Sequence, residues 1–299
     1  MKTTLFASAT LAFASFVCAQ DDTFAKPTVL RMSFIPDNNV AALEKVADKI
    51  AAYLKAATGM EVKYEQSSDY QACVNGLAAN KTDLVWLGGV TYCQAVERTQ
   101  GKAVLVACRD IDLKFKSYVI ANKALLDSGK VSKFEKIADL KAMLADHTFT
   151  FGAKDSTSGH IMPRHFMVQA GIAPEKDMKG GPLFQTNHGA TFKAVSSGQV
   201  DLGVLNYSTW ESQKPEDKEK APVLFTTPEY VDYCFAAHER LGKPTIEAIR
   251  KALLALDVKK PEDKEVLDAW KAKSFVAADA KLWDGMRKVL AELPKDFLK

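Results

Sequence analysis

The sequence has few cysteines and lacks any apolar run long enough to cross a membrane. Only 5 of its 299 residues are cysteine, and they form neither a C-x-x-C pair nor a zinc-type spacing. A zinc ribbon or dithiol redox motif is therefore excluded. The apolar run at residues 5–17 is too short to span a bilayer, and nothing later reaches about eighteen uninterrupted apolar residues, so no transmembrane helix is predicted.

The chain also lacks a large net charge. It has 40 Lys and Arg residues and 37 Asp and Glu residues, which gives a formal charge of +3, or +2 once Lys2 is removed. This near-neutral balance gives no electrostatic footprint for nucleic acid. It is compatible with an anionic or a cationic ligand, and an anion must be held by local donors.

Residues 1–20 have the pattern of a signal peptide. Lys2 precedes the apolar run, and small residues close the segment at Ala19. We expect this segment to be removed and the protein to be periplasmic or secreted. Cys18 raises the alternative of a lipid-anchored terminus, which is disfavoured because bulky Phe16 lies where a lipoprotein signal requires a small residue.

The rest of the chain alternates short β-rich runs with amphipathic helical stretches. About 280 mature residues suffice for two domains, and the alternation is typical of βα units around a largely parallel sheet. We therefore predict an α/β chain with two such sheets flanked by helices. Residues 27–117 and 229–299 form lobe 1, and residues 118–228 form lobe 2.

Two similar segments occupy equivalent places in the two halves. DLVWLGG (83–89) and DLGVLNY (201–207) each read as a buried strand that ends in small or aromatic residues. Helices are predicted to follow or precede them at residues 91–98 and 190–197. In open α/β sheets ligands bind at the carboxyl ends of strands, so two such ends predict a ligand cleft between the lobes.

A run of three hydroxyl side chains precedes another helix, predicted over residues 159–170. Ser156, Thr157 and Ser158 follow a strand and come before Pro163, which is tolerated in a first helical turn. Free amide groups, the helix dipole and three hydroxyls together can bind an anion. The simpler alternative is an N-cap, although capping requires only one hydroxyl.

These motifs resemble a known family of transport proteins. SSDYQACVNGL, DLVWLGGVTYCQA, DSTSGHIMPRHF, NHGATFKAVSSGQVDLGVLN and TTPEYVDY occur in the order found in the phosphonate/phosphite/phosphate substrate-binding proteins of ABC importers. The match is most similar to the branch described as selenate-binding. The resemblance implies a type II periplasmic-binding-protein fold, a small oxyanion in the interlobe cleft, an ABC permease as partner, a monomeric state and no cofactor.

The resemblance also implies a set of ligand-binding residues. They are Ser156, Thr157, Ser158, Tyr70, Tyr92, His188, Asn206 and Tyr207. Each has a simpler alternative: Tyr70 or Tyr92 could be core aromatics, and His188 could only cap the helix that begins near Ala190. No metal ligands are implied.

The expected anion follows from its protonation state. A selective site for hydrogen phosphate or a phosphonate needs an acceptor such as Asp, whereas selenate and sulfate need only donors. The second strand end carries Asn206 and Tyr207 instead of an acidic pair, which favours a fully deprotonated anion. Asp69, Asp155 and Asp201 lie near site residues in sequence and could still point inward, so phosphate, phosphite and phosphonate stay open.

Four cysteines remain after removal of the signal peptide: Cys73, Cys93, Cys108 and Cys234. An exported protein can form disulfides, and we expect a Cys108–Cys234 bridge because both residues lie where strands pass between the lobes. One alternative is that these residues are buried free thiols, and another is that Cys93 or Cys108 contacts a thiophilic arsenic or selenium species.

Two other functions compete with a transport receptor. A hydrolase using Ser158 and His188 is disfavoured, because the sequence has no nucleophile-elbow motif, no metal-ligand cluster and no pair of a base with its orienting group. An oxyanion sensor, for example of the arsenite type, that signals to a membrane kinase would share the same fold, and the sequence does not distinguish it from a transporter.

Overall fold

The computed structural model describes residues 27–294 and 297–298. The predicted signal peptide, including Cys18, lies outside the described residues. Within the described part of the chain, no helix combines the length and the apolar character needed to cross a membrane.

The described residues form eleven strands and thirteen α-helices. In chain order the strands are β1 (Val29–Phe34), β2 (Glu61–Tyr64), β3 (Leu84–Leu87), β4 (Ala103–Arg109), β5 (Ser117–Ala121), β6 (Phe149–Phe151), β7 (Leu183–Phe184), β8 (Leu202–Asn206), β9 (Val223–Thr226), β10 (Cys234–His238) and β11 (Phe275–Val276). The helices are α1 (Val40–Thr58), α2 (Tyr70–Ala78), α3 (Gly89–Arg98), α4 (Lys123–Asp127), α5 (Lys141–Leu144), α6 (Met162–Gln169), α7 (Pro174–Asp177), α8 (His188–Ser196), α9 (Tyr207–Glu211), α10 (Pro215–Lys218), α11 (Gly242–Leu254), α12 (Pro261–Ala269) and α13 (Asp284–Glu292).

The strands form two separate sheets, one in each lobe. The first has the order β11-β4-β10-β3-β1-β2, with β10 and β11 antiparallel to the other strands. The second has the order β7-β6-β8-β5-β9, with β5 antiparallel to its neighbours. The two-lobed α/β architecture is confirmed, but the sheets are mixed. The chain path explains this: β4 leaves the first sheet for the second lobe, and β10 returns beside it in the opposite direction.

The chain crosses between the lobes twice, and the two crossings pair with each other. The amides of Phe115 and Tyr230 each donate to the other residue's carbonyl, at 2.8 and 2.9 Å. Next to them, the Ser117 amide donates to Thr227 Oγ1 at 2.9 Å, and the Thr227 amide donates to the Ser117 carbonyl at 3.0 Å. The crossings therefore form a short two-stranded hinge.

Helix α1 shows how the sequence period directs packing. Its buried positions follow a helical spacing: Leu43, Ala47, Ile50, Leu54 and Thr58. The Asn39 side chain caps the first turn by accepting from the Ala42 amide at 2.9 Å. Gly59 ends the helix with a φ of 68°, a left-handed conformation that glycine adopts without a Cβ penalty.

Each lobe has its own apolar core. In lobe 1 the Trp86 ring lies 4.7 Å from the Trp270 ring and 4.8 Å from the Phe235 ring, between centroids. In lobe 2 Phe149 and Phe151 lie 5.2 Å apart. Edge-to-face aromatic pairs of this kind add stability beyond the area they bury.

The four cysteines that the structure describes are buried free thiols, so the expected Cys108–Cys234 disulfide is not formed here. Both residues lie in lobe 1 on neighbouring strands, β4 and β10. The Cys108 Sγ atom lies 3.8 Å from the Val276 carbonyl of β11, the strand on the other side of β4. Burial raises the pKa of Cys93 and of Cys108 to about 12, so neither thiol ionises at neutral pH.

Candidate functional site

The first amide groups of helix α3 point toward the second lobe and the returning hinge crossing. The helix begins at Gly89, two residues before the predicted start, with Gly88 as its N-cap. The Val90 amide donates to Thr157 Oγ1 of the second lobe at 2.9 Å. The Gly89 amide donates to Asp232 Oδ1 at 3.0 Å. The positive end of the α3 dipole therefore points into the cleft.

The hydroxyl run of the second lobe meets α3 there, and its three members have different roles. Ser156 is the N-cap of a π-helical turn and accepts from the Gly159 amide at 3.0 Å. Thr157 joins the lobes through Val90. The Ser158 side chain lies 3.4 Å from Nε2 of His188. All three hydroxyl residues are buried, so the capping alternative accounts for Ser156 alone.

His188 is fully buried and holds a defined tautomer. Its Nδ1 accepts from the Asn206 amide at 3.2 Å, so the proton resides on Nε2. Nε2 lies 3.4 Å from both Ser158 Oγ and the Tyr233 hydroxyl. Burial and the charge of Lys271 lower the pKa of His188 to about 3. The ring is therefore a neutral N–H donor, and the helix cap is Asn187, which accepts from the Ala190 amide.

Asn206, the last residue of β8, contacts the residues around His188. Its side-chain oxygen caps α9 by accepting from the Thr209 amide at 2.6 Å. Its side-chain nitrogen donates to the Tyr233 hydroxyl at 3.2 Å. Asn206 therefore contacts His188 through its backbone amide and Tyr233 through its side-chain amide.

Tyr70, the first residue of α2, contributes a hydroxyl from lobe 1. The side chain is 5 % exposed, and its hydroxyl has no hydrogen-bond partner among the described residues. The Ser156 side chain is near enough to stabilise the ionised form, but burial dominates and raises the pKa of Tyr70 well above its usual value. A buried hydroxyl without a partner is costly, so a ligand at this point would satisfy it.

Asp232 was missed by the sequence reasoning, although it lies in the quoted TTPEYVDY segment. Its Oδ1 accepts from Gly89, while its Oδ2 is buried and has no partner among the described residues. The hydroxyls of Ser158 and Thr157 lie near enough to lower its pKa, without completing a hydrogen bond to Oδ2. Burial nevertheless raises the pKa of Asp232 to about 7. The signal available in the sequence was an acid in the segment Tyr230-Val231-Asp232-Tyr233.

A second carboxylate, Asp37, lies at the edge of the group. Its backbone carbonyl accepts from the His188 amide of the other lobe at 3.2 Å. Burial raises the pKa of Asp37, while the Tyr233 hydroxyl and the charge of Arg109 oppose the rise. We call the whole group the cleft cluster: Asp37, Tyr70, Ser156, Thr157, Ser158, His188, Asn206, Asp232 and Tyr233.

Two of the expected residues do not join the cleft cluster. The Tyr92 ring packs against Trp283 in lobe 1, with 5.3 Å between centroids. The Tyr207 ring lies 4.9 Å from the Phe115 ring and 5.5 Å from the Lys116 ammonium group. Both tyrosines therefore pack outside the group that surrounds Ser158 and His188.

The three acids that could have pointed inward are engaged elsewhere. Asp69 caps α2. Asp155 accepts from Gln71 Nε2 across the cleft at 3.0 Å. Asp201 accepts from the amide and the hydroxyl of Thr148 at 2.8 and 2.9 Å. Among the described residues no group of three or more His, Cys, Asp or Glu side chains could hold a metal ion.

Comparison with known proteins places the chain in a family. Residues 32–283 match the family model of ABC transporter, phosphonate, periplasmic substrate-binding proteins. The "Probable ABC transporter phosphite binding protein PhnD1" of Prochlorococcus marinus is 34% identical over 297 residues, covering 96% of each chain. The phosphate-import protein PhnD of Mycolicibacterium smegmatis is 24% identical over 241 residues, covering 77% of this chain and 72% of the relative.

The solved structure of one relative has the same fold. The structure of PhnD1 from Prochlorococcus marinus in complex with methylphosphonate superposes with a TM-score of 0.82 at 34% identity, covering 89% of this chain and 99% of that one. These relatives are ligand-binding components of transporters and not enzymes, which excludes the hydrolase alternative. The chain belongs to the periplasmic substrate-binding proteins of phosphonate ABC transporters.

Proposed function

We propose that this protein captures a phosphorus oxyanion that retains a proton or a P–C or P–H bond, and delivers it to an ABC permease. Phosphite, a small phosphonate and hydrogen phosphate are the candidates. The observation that carries the proposal is Asp232, whose buried Oδ2 lacks a partner beside the hydroxyls of Ser158 and Thr157.

The cleft cluster offers both donors and one acceptor to such an anion. The donors are the Tyr70 hydroxyl, the Nε2–H of His188 and the Ser158 hydroxyl. The acceptor is Asp232, which can share one proton with the bound anion. Hydrogen bonds to charged oxygens are roughly twice as strong as neutral ones, and they strengthen further in a buried site.

The same acceptor argues against the selenate or sulfate expectation. That expectation depended on Asn206 standing where an acid could have been. Asp232 supplies the missing carboxylate from the hinge side. A fully deprotonated dianion has no proton to share, so it would leave a buried carboxylate beside a like charge unless Asp232 took up a proton.

The names of the relatives support the same class of ligand. One is described as a phosphite binding protein, another as a phosphate-import protein, and the solved relative contains methylphosphonate. We propose Tyr70, Thr157, Ser158, His188 and Asn206 as ligand-binding residues, with Asp232 and Tyr233 added. Ser156 is assigned to the helix cap, and Tyr92 and Tyr207 are removed from the expected set.

Binding would be coupled to closure of the two lobes about the hinge. Contacts such as Val90 to Thr157 and Asp37 to His188 already cross the cleft. A ligand held by both lobes would stabilise this arrangement and present one combined surface to the permease. Transport then requires no bond to be made or broken.

Calorimetry with phosphite, methylphosphonate, phosphate, sulfate and selenate at neutral pH tests the proposal. At least one phosphorus oxyanion should bind more tightly than sulfate and selenate. At one hundred times its Kd it should stabilise the protein by about 2.7 kcal/mol. Tighter binding of selenate or sulfate, or no binding at all, would contradict the proposal. Uptake of the bound anion by cells with and without the protein separates transport from sensing.

A further inference from the structure

A cavity of about 400 Å³ lies beside the cleft cluster. Both lobes line it, and three of its lining residues belong to the cluster: Asp37, Asn206 and Tyr233. The Tyr233 hydroxyl lies 3.4 Å from His188 Nε2. The Tyr233 side chain therefore lies between the cavity and the His188 ring.

The walls of the cavity suit an organic group. Leu43 and Val46 of α1 line one side, and the aromatic side chains Phe34, Trp86 and Trp270 line another. The Nε1 donor of Trp270 is buried and has no partner among the described residues. Small-molecule sites of this size are mostly apolar with a few placed polar groups.

The charges around the cavity favour a negative second group. Arg109 and Lys49 are neutralised by ion pairs with Asp112 and Glu265, at 2.6 and 2.9 Å. Lys271 also lines the cavity but has no ion pair in the described chain, and its ammonium lies 3.4 Å from the Ser208 carbonyl.

Lys45 is a second lysine at the cavity without an ion pair to a described residue. Asp37 is the cavity's own carboxylate, and burial raises its pKa. The balance of charge at the wall is therefore positive, which disfavours an ammonium-bearing substituent.

The backbone of Lys271 adds a separate observation. Its φ of 53° lies in the left-handed region, just after α12, where helices usually end with Gly or Asn. A lysine here is held in a sparsely populated conformation. The Ala272 amide donates to the Leu267 carbonyl at 3.0 Å and closes the helix end, which fixes the backbone that carries the Lys271 side chain.

We propose that this cavity takes the organic substituent of a phosphonate, and that Lys271 recognises a carboxylate on that substituent. The inference rests on the proposed function, because the phosphonate group would occupy the cleft cluster. The ligand class is therefore a short carboxyalkylphosphonate.

The test compares three ligands by calorimetry. Methylphosphonate reaches only the cleft cluster, whereas propylphosphonate and 3-phosphonopropionate have tails of similar size, without and with a carboxylate. We expect 3-phosphonopropionate to bind about tenfold more tightly than propylphosphonate. Lys271→Met should remove this preference, and the matched Lys49→Met change should keep it. Lys49→Met should bind methylphosphonate within about twofold of the wild type. Because the charge of Lys271 acts on His188, the readout for Lys271→Met is the ratio of the affinities for the two longer ligands, with methylphosphonate measured beside them.

A variant that fills the cavity gives a second measurement. Ala42→Trp should exclude both longer ligands and keep methylphosphonate. Equal binding of the two longer ligands, or a preference that survives Lys271→Met, would overturn the cavity assignment. Binding of methylphosphonate in the same experiment would still support the proposed function. If methylphosphonate, phosphite and phosphate all fail to bind, the proposed function itself is wrong, and the inference falls with it.

Discussion

The Asn206 amide donates to Nδ1 of His188 across 3.2 Å. This single bond fixes the imidazole so that its proton lies on Nε2, toward Ser158. Because burial lowers the pKa of His188 to about 3, the ring stays neutral at physiological pH. The cleft thus gains a donor whose direction is set by the backbone of the neighbouring strand.

His188→Ala should weaken binding of the preferred phosphorus oxyanion by about 1–3 kcal/mol, because a buried donor is lost. His147→Ala, at a histidine beside Asp201, is the matched control and should leave affinity unchanged. Calorimetry of both variants checks this. Equal losses in the two variants would contradict the assigned role.

Ser158→Ala and Ser156→Ala should have opposite signatures. Ser158→Ala removes a hydroxyl near His188 and should cost about 1–3 kcal/mol of binding. Ser156→Ala removes an N-cap and should cost about 1 kcal/mol of folding stability. Urea unfolding and calorimetry on both variants separate the two effects, and a binding loss confined to Ser156→Ala would reverse these roles.

Asp232→Asn should change both selectivity and pH dependence. Without the acceptor, affinity for phosphite or methylphosphonate should fall by about 1–3 kcal/mol, while sulfate and selenate should gain relative to them. An unchanged order of anions would show that Asp232 does not set selectivity.

The difference in folding stability between the wild type and Asp232→Asn depends on pH, and its direction follows from the pKa of Asp232. The folded pKa of about 7 lies above the ordinary 3.8, so the stabilisation is complete below about pH 4 and is lost as the pH rises toward 7. Between pH 5 and 8 the ligand-free wild type should therefore lose roughly 2–3 kcal/mol relative to the variant. Urea unfolding at both pH values measures the difference.

Tyr70→Phe should weaken ligand binding, because its buried hydroxyl would lose the ligand as its partner. Tyr92→Phe is the matched control, since that ring packs on Trp283 and should leave affinity unchanged. Thermal-shift titrations of both variants with one anion suffice. A loss in Tyr92→Phe equal to that in Tyr70→Phe would return Tyr92 to the site.

The four buried thiols should resist alkylation in the native protein and react completely after unfolding without reductant. They belong to Cys73, Cys93, Cys108 and Cys234. Burial keeps these thiols protonated and inaccessible. Non-reducing peptide mapping should find no Cys108–Cys234 link, and a recovered disulfide peptide would restore the original expectation.

The fold followed from the sequence because alternating strand and helix periods are local signals. The hydroxyl run at residues 156–158 was also visible, since it combines a cap, a strand end and Pro163. Sequence adjacency could not decide which way a side chain points. Tyr92 lies within one turn of Gly89, and the side chain of a helical residue turns by about 100° per position, so it packs into lobe 1.

Asp232 was harder to predict for a different reason. It is contributed by the returning hinge crossing and reaches the α3 start across 143 residues of sequence. Pairing over such a distance depends on the tertiary path, which no local period encodes. The same holds for the mixed sheets, because the position of β10 between β3 and β4 is set by that return path.

The Val90 amide donates to the Thr157 hydroxyl across the cleft. A ligand that uses either group must first break this hydrogen bond. Its measured affinity is therefore lower than its own contacts alone would give. This hydrogen bond therefore favours the closed arrangement whether or not a ligand is bound. How strongly Val90 holds Thr157 would then determine how often the transporter engages a receptor that carries no cargo.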